Sequence, residues 1–207
     1  MHSSSPREAI RVAAATSDRF LRAADLDVPA SAFAQAEHAG VIDRIVPGVY
    51  LGPGWPRQTL TDAAAWTLRH PNAVACLITA AVHHQLTDAF ERGTWLLVPQ
   101  GSSPPRSRAS AVHVVQVAPW LVAPEDDEVN GIVRMNAHGV TVRVTGPDRT
   151  VLDLWRYPQL ISGEHALVAL RRRASTRGFN VPSFARLARR LGVWSKVEQV
   201  LQGMMVR

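Results

Sequence analysis

Ser31, Gln35 and His38 stand four and three residues apart, the spacing that puts side chains on one face of a helix. Together with Ala34 they make an outer face suited to reading nucleic acid. A glutamine can make a paired hydrogen bond with adenine, and serine and histidine can reach base edges or phosphate oxygens. Arg44 just after this helix, and Arg19 and Arg22 on a helix just before it, fit as phosphate clamps, which orient a protein on DNA without reading its sequence. Glu37 and Asp43 lie among them and repel phosphate. A solvated helix face uses the same residue types, so the surrounding elements must decide between the two readings.

A second basic group comprises Arg171, Arg172, Arg173, Arg177, Arg186, Arg189 and Arg190. It reads as a further surface for DNA, RNA or a protein, or as plain solvated helix. Residues Phe184, Leu187, Ala188 and Leu191 recur at helical spacing and bury one face, and Gly192 breaks the helix before another begins. His83, His84 and Asp88 invite a metal or acid–base assignment. Adjacent helical residues diverge by about 100°, however, so the two histidines do not readily share one ion, and no second cluster completes a ligand set. His84 and Asp88, one turn apart, can pair. Arg149, Asp153 and Arg156 have ion-pair spacing on one helical face; buried, they would fix that helix against a sheet. Asp148 and Asp153 make a poor nuclease, which needs clustered carboxylates and usually a lysine, and Lys196 stands outside any such cluster. Neither a phosphate-binding glycine loop nor a nucleophile motif is present. No catalytic residue, metal or cofactor is expected. The six tryptophans are scattered, as core and interface packing would place them.

The elements that would position the first group are a short helix, Phe20–Leu26, a turn at Asp27-Val28-Pro29, and a second helix through Ala30–Ala39 that begins behind Pro29 and stops at Gly40. Leu26, Val28, Phe33 and Ala36 fall where two crossed helices pack. Residues Val41–Val46 and Val49–Leu51, separated by Pro47-Gly48, form a β-hairpin wing. An opening helix, Arg7–Ala15, follows a frayed Met1–Pro6 tail. These pieces amount to a winged helix-turn-helix over residues 1–54, bounded by Gly52-Pro53-Gly54-Trp55-Pro56, which carries neither helix nor strand.

Residues 55–207 read as a mixed α+β domain with a small sheet and terminal helices. Helices are expected at Thr61–Arg69, Ala73–Gln85, Thr145–Tyr157 (started by Thr145-Gly146-Pro147-Asp148, with Thr145 and Asp148 spaced as a capping box), Gly163–Ala174, Pro182–Leu191 and Val193–Gln202. Strands are expected at Thr94–Val98, Val112–Val117 and Val140–Thr145. Gln100–Arg108 reads as an exposed loop and Glu125–Glu128 as an acidic surface run. The whole chain is α+β.

With 46% hydrophobic and 19% charged residues the chain is globular rather than disordered. It has no apolar run of transmembrane length and no apolar leader, so a cytoplasmic protein with no membrane partner is expected. The one cysteine, Cys76, lies in an apolar run and fits a small core residue. Net charge is +6 and unevenly spread: residues 1–70 hold seven arginines against seven acids, residues 71–150 six against seven, and residues 151–207 ten basic residues against three. The basic end is therefore not the helix-turn-helix, although phosphate neutralisation normally dominates DNA affinity.

Three segments carry a family likeness: Ile45-Val46-Pro47-Gly48-Val49-Tyr50-Leu51, Ala80-Ala81-Val82-His83-His84-Gln85-Leu86-Thr87-Asp88, and Asp148-Arg149-Thr150-Val151-Leu152-Asp153-Leu154. In this order and spacing the chain resembles the AbiEi-type antitoxins, transcriptional regulators of type IV toxin–antitoxin operons, over most of its length. The resemblance implies an N-terminal DNA-binding domain, a C-terminal domain needed for antitoxicity, and autorepression of an operon encoding a nucleotidyltransferase-like toxin. The expected partners are double-stranded operator DNA and that toxin. Copies that associate on DNA would use palindromic or repeated half-sites. The alternative is a protein-interaction module that holds a partner through its basic C-terminal helices and binds DNA little.

Overall fold

The computed structural model describes residues 5–89, 93–107 and 111–205; Met1–Ser4 of the expected tail and Arg108 of the expected loop lie outside these. The fold is α+β. Helix α1 (Pro6–Thr16) leads into an extended segment, a single turn α2 (Ala23–Leu26), helix α3 (Ala30–His38) and the hairpin β1 (Asp43–Val46)–β2 (Val49–Leu51). There follow α4 (Thr61–Thr67), β3 (Val74–Ala75), α5 (Leu77–His83), β4 (Thr94–Pro99), β5 (Val112–Val117), β6 (Ile132–Ala137) and β7 (Val140–Thr145). Four helices close the chain: α6 (Pro147–Arg156), α7 (Gly163–Ala174), α8 (Val181–Arg190) and α9 (Trp194–Met205). Among the described residues, no helix is long and apolar enough to cross a membrane.

Strands β3–β7 form one mixed sheet in the order β5-β4-β3-β7-β6, with β3 antiparallel to β4 and parallel to β7. Side chains alternate across its two faces, as extended backbone requires. Val74 and Leu97 face a core shared with α5–α9, whereas Ala75, Leu96 and Val98 face a core shared with α4. The second core also takes in Phe20, Val46, Val49 and Leu51, so apolar packing runs across the Gly/Pro segment at 52–56. Trp55 reinforces the crossing by donating its indole N–H to the Ala14 carbonyl at 2.9 Å.

Several expectations need correction. The apolar run 73–85 is not one helix: Val74–Ala75 is the central strand, and Leu77, at φ 44°, turns the chain into α5. A short apolar run cannot be told from a buried helix by periodicity. Strand β6 was not anticipated, because Arg134, Met135 and Asn136 along this sheet edge are all exposed and break the alternation. Gly146 rather than Thr145 caps α6; the Thr145 hydroxyl instead meets that of Thr150 at 2.8 Å. The acidic run is only partly a surface feature, since Asp127 turns inward to Arg143 and Arg134.

Candidate nucleic-acid interface

The N-terminal helices and hairpin share a compact core of Ile10, Ala14, Leu21, Phe33, Ala36, Ile42 and Tyr50. Phe33 and Ala36 are buried on α3, and the Phe33 ring lies 5.0 Å from that of Tyr50 on β2. Leu26 and Val28 pack against this core. Gly40, at φ 68°, lets Val41 return its N–H to the Ala36 carbonyl at 2.9 Å, which closes the helix and aims the chain into β1. The opposite face of α3 carries Ser31, Ala34, Gln35 and His38, all exposed.

The segment Phe20–Arg22 is extended, not helical. Leu21 forms a β-bridge with Tyr50, N–H to O at 2.8 Å one way and 3.0 Å the other, and so adds a third rung beside the hairpin. Arg19 and Arg22 therefore lie on the approach to α2 rather than on a helix.

The expected phosphate clamps differ in their freedom. Arg44 is held by Glu37 on α3, at 2.5 and 3.0 Å, and this hydrogen bonding raises the already high pKa of its guanidinium. Arg22 makes a two-pronged pair with Asp25, both bonds 2.8 Å. Arg19 is exposed, lies over Gly139 at the tip of the β6–β7 hairpin, and has no carboxylate partner among the described residues. The sequence missed Arg69, just beyond α4, which donates from Nη1 to the Pro47 carbonyl in the hairpin turn at 3.0 Å. A cation at the end of the expected Thr61–Arg69 helix was legible; its docking on a turn 22 residues earlier was not.

The C-terminal arginines do not form one surface. Arg172 pairs with Asp88, and Arg173 pairs with Asp148 at 2.5 Å. Arg189 covers the ring of Trp194 at 4.9 Å. Arg190 donates to the Asn130 side chain at 3.0 Å and lies over Trp120, and Arg186 donates to the Ser183 hydroxyl at 2.8 Å. Arg171 and Arg177 are exposed. Arg173, Arg186 and Arg190 line a groove of about 860 Å³ between α8 and the segment before β6, facing Glu125 and Glu128.

The rings of His83 and His84 meet edge to face, their centroids 5.1 Å apart. Asp88 is taken by Arg172, so the one-turn pairing with His84 does not form; Gln85, at φ 58°, ends the helix between them. The His84 Nε2 donates to the Thr145 carbonyl at 2.8 Å. Burial pushes both imidazoles below the ordinary histidine value, opposed at His84 by the Thr145 carbonyl and aided by His83 and Arg173. Among the described residues no group of three or more metal-binding side chains gathers. Arg149 and Asp153 are fully buried and joined at 2.8 Å, with Arg149 also bonded to the Asn130 carbonyl. This pair braces α6 from its buried side, while Arg156, the third residue of the expected group, is partly exposed and 3.9 Å from Asp153.

No protein-family model matches the chain, and no match is found among curated proteins. Among solved structures, the chain is similar to the crystal structure of the RV2827C protein from Mycobacterium tuberculosis, at 14% identity and a TM-score of 0.55, over 93% of this chain and 79% of that one. At this identity the likeness is one of fold.

Proposed function

We propose that the chain is a DNA-binding transcriptional regulator whose residues 1–54 work as a winged helix-turn-helix. One observation carries this reading: α3 is pinned along its buried face by Phe33 and Ala36, and presents Ser31, Ala34, Gln35 and His38 to solvent beside a two-stranded hairpin. Such a helix enters the major groove while the hairpin rests on the adjacent backbone. The role as a cytoplasmic antitoxin, autorepressing its operon and counteracting a nucleotidyltransferase-like toxin, follows from the resemblance to AbiEi-type antitoxins. No catalytic step is assigned.

The test is binding to the duplex upstream of its own gene, against an unrelated duplex of equal length, titrated with salt. Preferential binding that survives near-physiological salt supports the reading. Equal, weak binding erased by salt overturns it. The groove beside α8 favours a second reading, in which Arg186 and Arg190 hold a protein partner. Charge reversal at these two positions that abolishes antitoxicity, with operator binding intact, would favour it.

A further inference from the structure

The seven arginines of residues 1–70 divide into two sets. Arg11, Arg22, Arg44 and Arg57 each have a carboxylate within ion-pair distance: Glu8, Asp25, Glu37 and Asp62. Arg7, Arg19 and Arg69 have none among the described residues. Arg69 alone of these three is tied to the hairpin turn, through its bond to Pro47. The packing beneath explains its position. Val46, Val49 and Leu51 share a core with Ala64, Ala65 and Trp66 of α4, so the end of α4 is fastened under the turn it reaches. A guanidinium carries five N–H donors in a rigid fork. One is spent on Pro47, and the rest of this exposed side chain faces outward without an acid to neutralise it.

We infer that Arg69 is a DNA-phosphate contact, supplied to the wing by the part of the chain beyond the Gly/Pro segment. The inference rests on the DNA-binding reading and deepens it. It also answers the charge problem: the helix-turn-helix is neutral as a stretch of sequence, but the turn of its hairpin borrows, from just beyond α4, a cation with no carboxylate partner among the described residues. Arg44, nearer in sequence, is already neutralised by Glu37.

The experiment is a salt titration of both duplexes with the wild-type full chain, Arg69→Gln and Arg69→Lys. Glutamine retains a donor for the Pro47 carbonyl and loses the charge; lysine keeps the charge. Each phosphate contact contributes about 0.9 to the slope of log K against log salt. Arg69→Gln is expected to weaken binding to both duplexes by the same factor and to flatten the slope by about 0.9, with an unchanged thermal midpoint and with Arg69→Lys close to wild type. Where wild type prefers its own upstream duplex, an Arg69→Gln slope equal to that of wild type would overturn the inference and leave the DNA-binding reading standing. A wild type that binds neither duplex overturns both.

Discussion

At the scale of single residues, the proposed interface is governed by which charges are already satisfied. Glu37 and Arg44 illustrate this: the carboxylate lies on α3 and the guanidinium on β1, and their short hydrogen bonds cancel a charge that could otherwise meet phosphate. Both side chains keep substantial exposure, so the pair contributes little to stability. Its larger effect is on binding. Glu37→Ala removes a carboxylate that repels phosphate and frees Arg44, and the expected result is tighter binding to any duplex and a salt slope steeper by about 0.9. A filter-binding titration at several salt concentrations reads both. Weaker binding would instead mean that Arg44 reaches DNA only while Glu37 holds it in position. The sequence exposed the period of Ser31, Gln35 and His38, since it is local. It could not expose the fate of the arginines, because Glu37–Arg44, Arg172–Asp88 and Arg69–Pro47 all close through space.

At the scale of elements, α6 is organised from its buried side. Arg149 and Asp153 are fully inaccessible, and burial pushes the Asp153 carboxyl above the usual carboxylate range against the pull of Arg149 and Arg156. A buried pair adds little net stability, but removing one partner strands a charge, at a cost of about 3–5 kcal/mol. Asp153→Ala is therefore expected to lose that much in urea denaturation, while the double change Arg149→Met with Asp153→Leu loses clearly less. Equal losses would mean that the pair itself, not the stranded charge, holds the helix. The spacing of these residues was legible, and so was ion pairing; burial was not, because four-residue spacing looks alike inside and outside. Most helices were legible within a residue or two. The failures fell where the core overrides local pattern: β3 is a two-residue central strand inside an apolar run, and β6 is an edge with solvent on its polar side chains. The β6–β7 turn was also hidden. His138 and Gly139, at φ 50° and 75°, match a two-residue turn of the hairpin type, and the turn is buried at His138, which bonds the Asp18 carbonyl and Thr61 hydroxyl at 2.8 Å each.

At the scale of the whole molecule, that turn and the shared core tie the two halves together, so pH acting on the histidines beyond residue 54 is expected to be felt in global stability. His70, His83 and His84 are each pushed below the ordinary histidine value, chiefly by burial, with Arg69 adding to the effect at His70. The unfolded chain titrates these groups near about pH 6.5, so below that value it binds protons that the folded chain refuses. Stability from this source is complete above about pH 6.5 and is lost as pH falls through the depressed folded values. Asp153 acts in the opposite sense: its raised carboxyl favours the folded state at low pH, and that contribution is lost as pH rises through its folded value. A bare stability profile mixes the two. Comparison with His84→Gln separates them, because glutamine keeps a donor for the Thr145 carbonyl while the Asp153 contribution cancels in the difference. From about pH 7.5 down to about 5.5, spanning the unperturbed histidine value, wild type is expected to lose denaturation free energy faster than His84→Gln. Parallel profiles would mean that His84 accepts its proton as readily in the folded chain as in the unfolded one, and that its seat beside β7 does not exclude charge.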